Sequence, residues 1–135
     1  MEIKIKAFLK EEKKIVDVTS IDFSLECISY NDEKELKTIP FSSLELLQYS
    51  DCKDIKGQEI VVGDIVIIKD DESIFGKNAG EMYEIYFSKG CFRFKPKFPS
   101  SIARGFQGIV LDEDDICEII GNRFENPELL KEIYK

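Results

Sequence analysis

Short apolar runs with the two-residue period of a half-buried strand recur along this chain, and turn residues close each run after several positions. This punctuation constrains the fold most, because a strand-period pattern does not settle as a helix and short connections join antiparallel neighbours. Residues 3–9 set the pattern: Ile3, Ile5, Ala7 and Leu9 face one way, Lys4 and Lys6 the other. The polar turn Glu11-Glu12-Lys13-Lys14 then leads to Ile15, Val16 and Val18, so 3–18 reads as a hairpin. Residues 25–30 and 36–41 form a second strand pair around the turn residues Asn31 to Lys34. Residues 43–49 fit either a short strand or one helical turn.

From Ser50 to Gly57 the chain is polar and reads as a connection, with a lobe boundary there. The stretch 59–69 is β-branched throughout and broken once by Gly63-Asp64, which suggests a tight turn or bulge entering a new strand. Residues 82–88 and 91–95 form a further hairpin around Lys89-Gly90, and 96–107 a long loop. Residues 108–111 and 116–120 are short final strands around the acidic turn Asp112 to Asp115. The end is helical, with Asn126 as N-cap, Pro127 at the first helical position and Glu128 in the first turn. About nine short strands predict a mainly β fold, α+β at most, built from antiparallel strands with an N-terminal β-hairpin region and a short C-terminal helix. Residues 1–50 form the N-terminal antiparallel region and 51–135 the second, within a length of 135 residues that one domain can hold.

The same residues narrow the chemistry. The chain has no histidine, which removes the usual nucleophile pairs, the commonest zinc ligand and the commonest general acid/base. Its four cysteines, Cys27, Cys52, Cys91 and Cys117, are too far apart in sequence for a CxxC pair, and read as small buried or half-buried hydrophobes kept reduced in a cytoplasm. The opening Met1-Glu2-Ile3-Lys4-Ile5-Lys6 alternates charge with apolar residues, unlike a secretory leader, and no run approaches a membrane span. No nucleophile-elbow, zincin or phosphate-loop pattern is present, so the expectation is a protein that is not an enzyme, with no cofactor and no metal. Asp70-Asp71-Glu72 and Asp112 to Asp115 are acidic loops, but adjacent carboxylates diverge and the spacing of a calcium loop is absent; both read as solvated turns.

The formal charge of −8 disfavours nucleic acid, yet it is unevenly spread. Residues 89–106 hold Lys89, Arg93, Lys95, Lys97 and Arg104 and no carboxylate, interleaved with Phe92, Phe94, Phe98 and Phe106. Stacking faces beside cations are what single-stranded nucleic-acid binding uses, and Lys-Gly-x-Phe-x-Phe echoes part of an RNA-recognition strand. Strand alternation offers a plainer account: Phe92 and Phe94 on one face in the core, and Cys91, Arg93 and Lys95 on the other, solvated or paired with the acidic excess.

Three stretches together resemble the YopX family of phage and prophage proteins. They are Ile3 to Phe8; Leu47-Gln48-Tyr49-Ser50 with Lys53-Asp54, Gly57-Gln58-Glu59-Ile60 and Gly63-Asp64-Ile65-Val66; and Ile120 to Leu130, which contains Asn126-Pro127. Phe8 departs from the family's common Trp, and residues 50–52 lack its usual Thr-Gly pair. The resemblance implies a small accessory protein in the cytoplasm of a bacterial host, with an SH3-like barrel from about residue 57 onward. It implies no activity. Gly57, Gly63, Asp64, Asn126 and Pro127 fit structural roles in this motif: positive φ, backbone acceptance and a helix start. The expectation for function is a protein-binding module, whose partner is a host factor or a second copy; the alternative is a single-stranded nucleic-acid-binding module using 89–106.

Overall fold

A computed structural model describes residues 5–69, 79–97, 105, 107–112 and 116–134. The fold is mainly antiparallel β, with a curled half-barrel sheet and one short C-terminal helix, as the strand period predicts. The chain divides into two compact units, Met1–Tyr49 and Ser50–Lys135. Among the described residues no helix is long and apolar enough to cross a membrane.

In the first unit, β1 (Ile5–Leu9) and β2 (Lys14–Asp17) form the expected hairpin, with Phe8 opposite Ile15. On its other side β1 pairs with β6 (Leu44–Lys53), Leu9 opposite Leu44. A separate sheet of β3 (Ser20–Asp22), β4 (Cys27–Asp32) and β5 (Glu35–Pro40) runs in that order. Ala7, Leu9, Ile28, Tyr30 and Leu44 form the buried centre, with Val16, Val18, Ile21, Ile39 and Phe41 packed on it. The alternation of residues 5–9 is thus realised as buried Ala7 and Leu9 on the inward face.

The segment 43–49, open between strand and helical turn, is strand; a single 3₁₀ turn, Phe41–Ser43, precedes it. The connection expected from Ser50 is also shorter, because β6 runs on to Lys53. Asp51 takes a positive φ of 67° while the Ser50 hydroxyl accepts the Cys52 N–H at 3.1 Å. That local side-chain bond lets a polar stretch kink and still continue as strand.

In the second unit, β7 (Glu59–Val61) lies beside β6, and the four-stranded sheet runs β10 (Cys91–Phe94), β9 (Met82–Ser88), β8 (Asp64–Ile68), β11 (Cys117–Asn122). Ile60, Val66, Ile68, Ile85, Phe94, Leu111 and Cys117 are its core, with Tyr83, Phe92, Ile109 and Ile119 packed against them. Each large aliphatic or aromatic side chain so buried contributes about 1.5–3 kcal/mol. The strand expected at 108–111 is a correction: only Val110 bridges, to Arg93. Gly108 has φ +100°, and a Cβ there would lie 2.1 Å from the Phe94 carbonyl oxygen, so the chain crosses β10 too tightly to lie alongside it as a ladder. The final strand expected at 116–120 is β11, with a bulge between Ile119 and Gly121. The helix α1 spans Pro127–Ile133.

Candidate functional site

The middle and C-terminal motifs meet in space within the second unit. Asp54 is buried, and its carboxylate organises the start of the unit: Oδ1 accepts the N–H groups of Lys56 and Gln58 at 2.9 Å each, and Oδ2 accepts that of Ile119 at 3.0 Å. Gly57, at φ +81°, completes the turn by donating to the Asp54 carbonyl at 3.0 Å. Asp64 closes the two-residue turn from β7 to β8, its Oδ2 accepting the Val61 N–H at 2.8 Å, which is the backbone-accepting role expected of it.

Gly63 stands where the two motifs touch. Its N–H donates to the Ile85 carbonyl and its own carbonyl accepts the Arg123 N–H, both at 2.8 Å. At φ +93° it occupies glycine's region, and a Cβ would lie 2.6 Å from the Phe124 ring. Asn122 Oδ1 accepts the N–H groups of Phe124 and Glu125 at 3.0 and 2.8 Å. Asn126 corrects one expectation. It stands at the N-cap position, but its side chain makes no cap hydrogen bond; its Oδ1 instead accepts the Asn122 N–H at 3.2 Å. The tight approach of Gly121, whose Cβ would meet Asn126 Oδ1 at 2.6 Å, holds the side chain over that turn. Pro127 begins the helix as expected.

Sequence reasoning missed the residue on which this clasp converges. Glu84, on β9, is 1 % exposed. Its Oε2 accepts from Arg123 Nη1 at 2.9 Å, its Oε1 accepts from the Tyr134 hydroxyl at 2.7 Å, and Lys95 Nζ lies 3.9 Å from Oε1. Burial, then the bond to Glu84, raises the Tyr134 phenol well above the ordinary tyrosine value. Each carboxylate oxygen has a charged or hydroxyl partner, so the arrangement fastens α1 and the Arg123 turn to β9. Its signal was faint: one Glu in the strand Met82–Ser88 that is otherwise without charge.

The basic aromatic hairpin is largely engaged with the protein itself. Phe94 is buried in the core, and Phe92 packs against that core and edge-on to Phe87, ring centroids 5.1 Å apart. Arg93 donates to the carbonyls of Ser88 and Gly108 at 3.0 and 2.9 Å. Lys95, besides Glu84, lies over the rings of Tyr86 and Tyr134, and Lys97 lies 3.7 Å from Glu81 and 4.4 Å from the Tyr83 ring centre. Lys89 is exposed in the turn, at φ 48° beside Gly90. Arg104, Phe98 and Phe106 lie outside the described residues, as do Asp70 to Glu72 and Glu113 to Asp115. Among the described residues no three Cys, Asp or Glu side chains come together as metal ligands.

A second feature that the sequence reading passed over lies in the first unit. The turn from β3 to β4 presents Phe23 and Leu25, each 74 % exposed. The turn is built, not loose. Asp22 Oδ1 accepts the N–H groups of Ser24 and Leu25 at 2.9 and 3.0 Å, Glu26 takes φ 52°, and the Phe41 N–H donates to the Glu26 carbonyl at 2.8 Å. Phe23 meets only the edge of Phe41, centroids 6.1 Å apart. The available signal was an Asp-initiated turn carrying two large apolar residues where turns ordinarily carry polar ones.

Against known proteins, the family model described as YopX protein matches residues 4–131. No curated protein matches. Among solved structures the chain is similar to the crystal structure of protein EF1440 from Enterococcus faecalis, with a TM-score of 0.62 and 23 % sequence identity over 96 % of this chain and 99 % of that one. At that identity the likeness concerns the fold.

Proposed function

The chain belongs to the YopX family, and on that premise we propose that it works as a non-enzymatic protein-binding module, a small phage or prophage accessory protein acting in the cytoplasm of a bacterial host. In the same reading the curled sheet from about residue 57 onward is an SH3-like barrel that serves as a scaffold. One observation carries the proposal: Phe23 and Leu25 are held 74 % exposed on a hydrogen-bonded turn. Two large apolar side chains on an ordered tip lose little conformational entropy on docking, and anchors of this kind supply most of the energy of protein interfaces.

The nucleic-acid alternative has less to draw on. Lys95 and Lys97 face Glu84 and Glu81, Phe94 is in the core, and Arg93 is tied to carbonyls, so phosphate or base would have to displace existing partners. The test is capture from host lysate with wild type and with Phe23→Ser plus Leu25→Ser as bait, beside a gel shift with single-stranded oligonucleotide. The proposal expects a discrete set of proteins held by wild type and lost by the double variant, and no shift at moderate salt. Capture unaffected by the double variant, or a salt-sensitive shift removed by Lys89→Glu, would overturn it.

A further inference from the structure

We infer that the partner of the Phe23–Leu25 tip includes a second copy of this chain, which receives the tip on the apolar and basic end of its β9–β10 hairpin. This rests on the protein-binding reading above and names an occupant for it. The two surfaces match in kind. The tip carries Phe23 and Leu25 between the carboxylates of Asp22 and Glu26, and residues 19–26 contain no cation. The hairpin end carries Phe87, 49 % exposed and edge-on to Phe92, with Lys89 exposed in the turn.

The charge is also complementary at short range. Residues 85–97 contain no carboxylate. Of their cations, Lys95 and Lys97 face Glu84 and Glu81. The Arg93 guanidinium bonds to the main-chain carbonyls of Ser88 and Gly108, neutral acceptors that leave its positive charge in place at the hairpin end. Two carboxylates flanking two apolar side chains therefore face two cations beside an exposed aromatic pair. Phe87 continues the inward face of β9, since its opposite neighbour Phe92 lies on the core face of β10, so the apolar surface simply runs out into solvent there.

Because the two surfaces differ, the contact is heterologous: each copy offers one tip and one hairpin end. A contact this small is weak, with a dissociation constant on the order of 10 µM to 1 mM, and salt weakens it further.

Sedimentation velocity tests this across about 5 µM to about 1 mM, a range that brackets such a constant. Wild type is expected to show a weight-average sedimentation coefficient that rises with concentration and falls back in high salt. The tip variant (Phe23→Ser with Leu25→Ser) and the hairpin variant (Phe87→Ser with Lys89→Glu) are each expected to stay monomeric. Mixed, they restore one contact, an intact tip on one meeting an intact hairpin end on the other, and give a 1:1 heterodimer that grows no further. The altered positions are exposed or half exposed, and a circular-dichroism melt confirms that each variant is folded. Wild type monomeric throughout, variants that associate like wild type, or a mixture that fails to pair would overturn the inference. Lysate capture at submicromolar bait, where self-association is negligible, is read separately: its loss in the tip variant tests the protein-binding reading alone.

Discussion

At the scale of single residues, Glu84 explains why two motifs about sixty residues apart belong together. A buried carboxylate is tolerable only with its partners in place. The two sides of its ion pair are unequal, because Glu84 is buried while Arg123 is 47 % exposed. Removing Arg123 leaves a buried charge short of a partner; removing the charge on Glu84 leaves an arginine that water can solvate. Arg123→Met should therefore cost about 2–4 kcal/mol and Glu84→Gln about half as much, an order that chemical denaturation can check. Tyr134 adds a pH signature. Its phenol, and that of Tyr83, which burial and Glu81 affect in the same direction, are raised above the ordinary value. The unfolded chain then releases these protons first. Stability from this source is complete below about pH 10 and is lost as pH rises above it. Tyr134→Phe should flatten that alkaline decline in thermal melts; an unchanged decline in Tyr134→Phe combined with Tyr83→Phe would contradict the assignment. Gly63→Ala brings a Cβ to 2.6 Å from Phe124 at a positive φ and should cost about 2 kcal/mol or more.

At the scale of elements, strand period made much of the fold legible. Ala7 and Leu9 face inward as their alternation requires, and the hairpins at 5–17, 27–40 and 82–94 lie where turn residues placed them. What was not legible depended on contacts distant in sequence. The polar residues 50–53 remain strand because Ser50 and Asp51 shape a local kink, and 108–111 is not a ladder because Gly108 passes against the Phe94 carbonyl. Glu84 looked like one exposed charge in a strand, since its partners Arg123 and Tyr134 come from another part of the chain. The basic aromatic segment drew notice by composition alone, and composition does not say that Lys95 and Lys97 face carboxylates. The β4–β5 turn offers an element-level test. Glu33 and Lys34 both sit at positive φ, 49° and 80°, in the two-residue loop between Asp32 and Glu35. Primed hairpin turns favour glycine there, so Lys34→Gly should stabilise the protein by about 0.5–1 kcal/mol, seen as a raised Tm.

At the scale of the whole molecule, the family motifs and the proposed binding surface divide the labour. Gly57, Gly63, Asp64, Asp54 and Asn126 close turns and hold the second unit together, whereas the exposed apolar anchors sit on a turn of the first unit outside all three motif stretches. Losses at the motif should therefore appear as instability, and losses at the tip as failed binding by a chain that melts normally. The most direct measurement is site-specific photo-crosslinking in the bacterial host, with a benzophenone-bearing phenylalanine analogue at position 23 and, as controls, at Lys89 and Glu33. The account predicts discrete protein adducts from position 23 and none from Glu33. Position 23 yielding no adduct, while Lys89 crosslinks to nucleic acid, would contradict it.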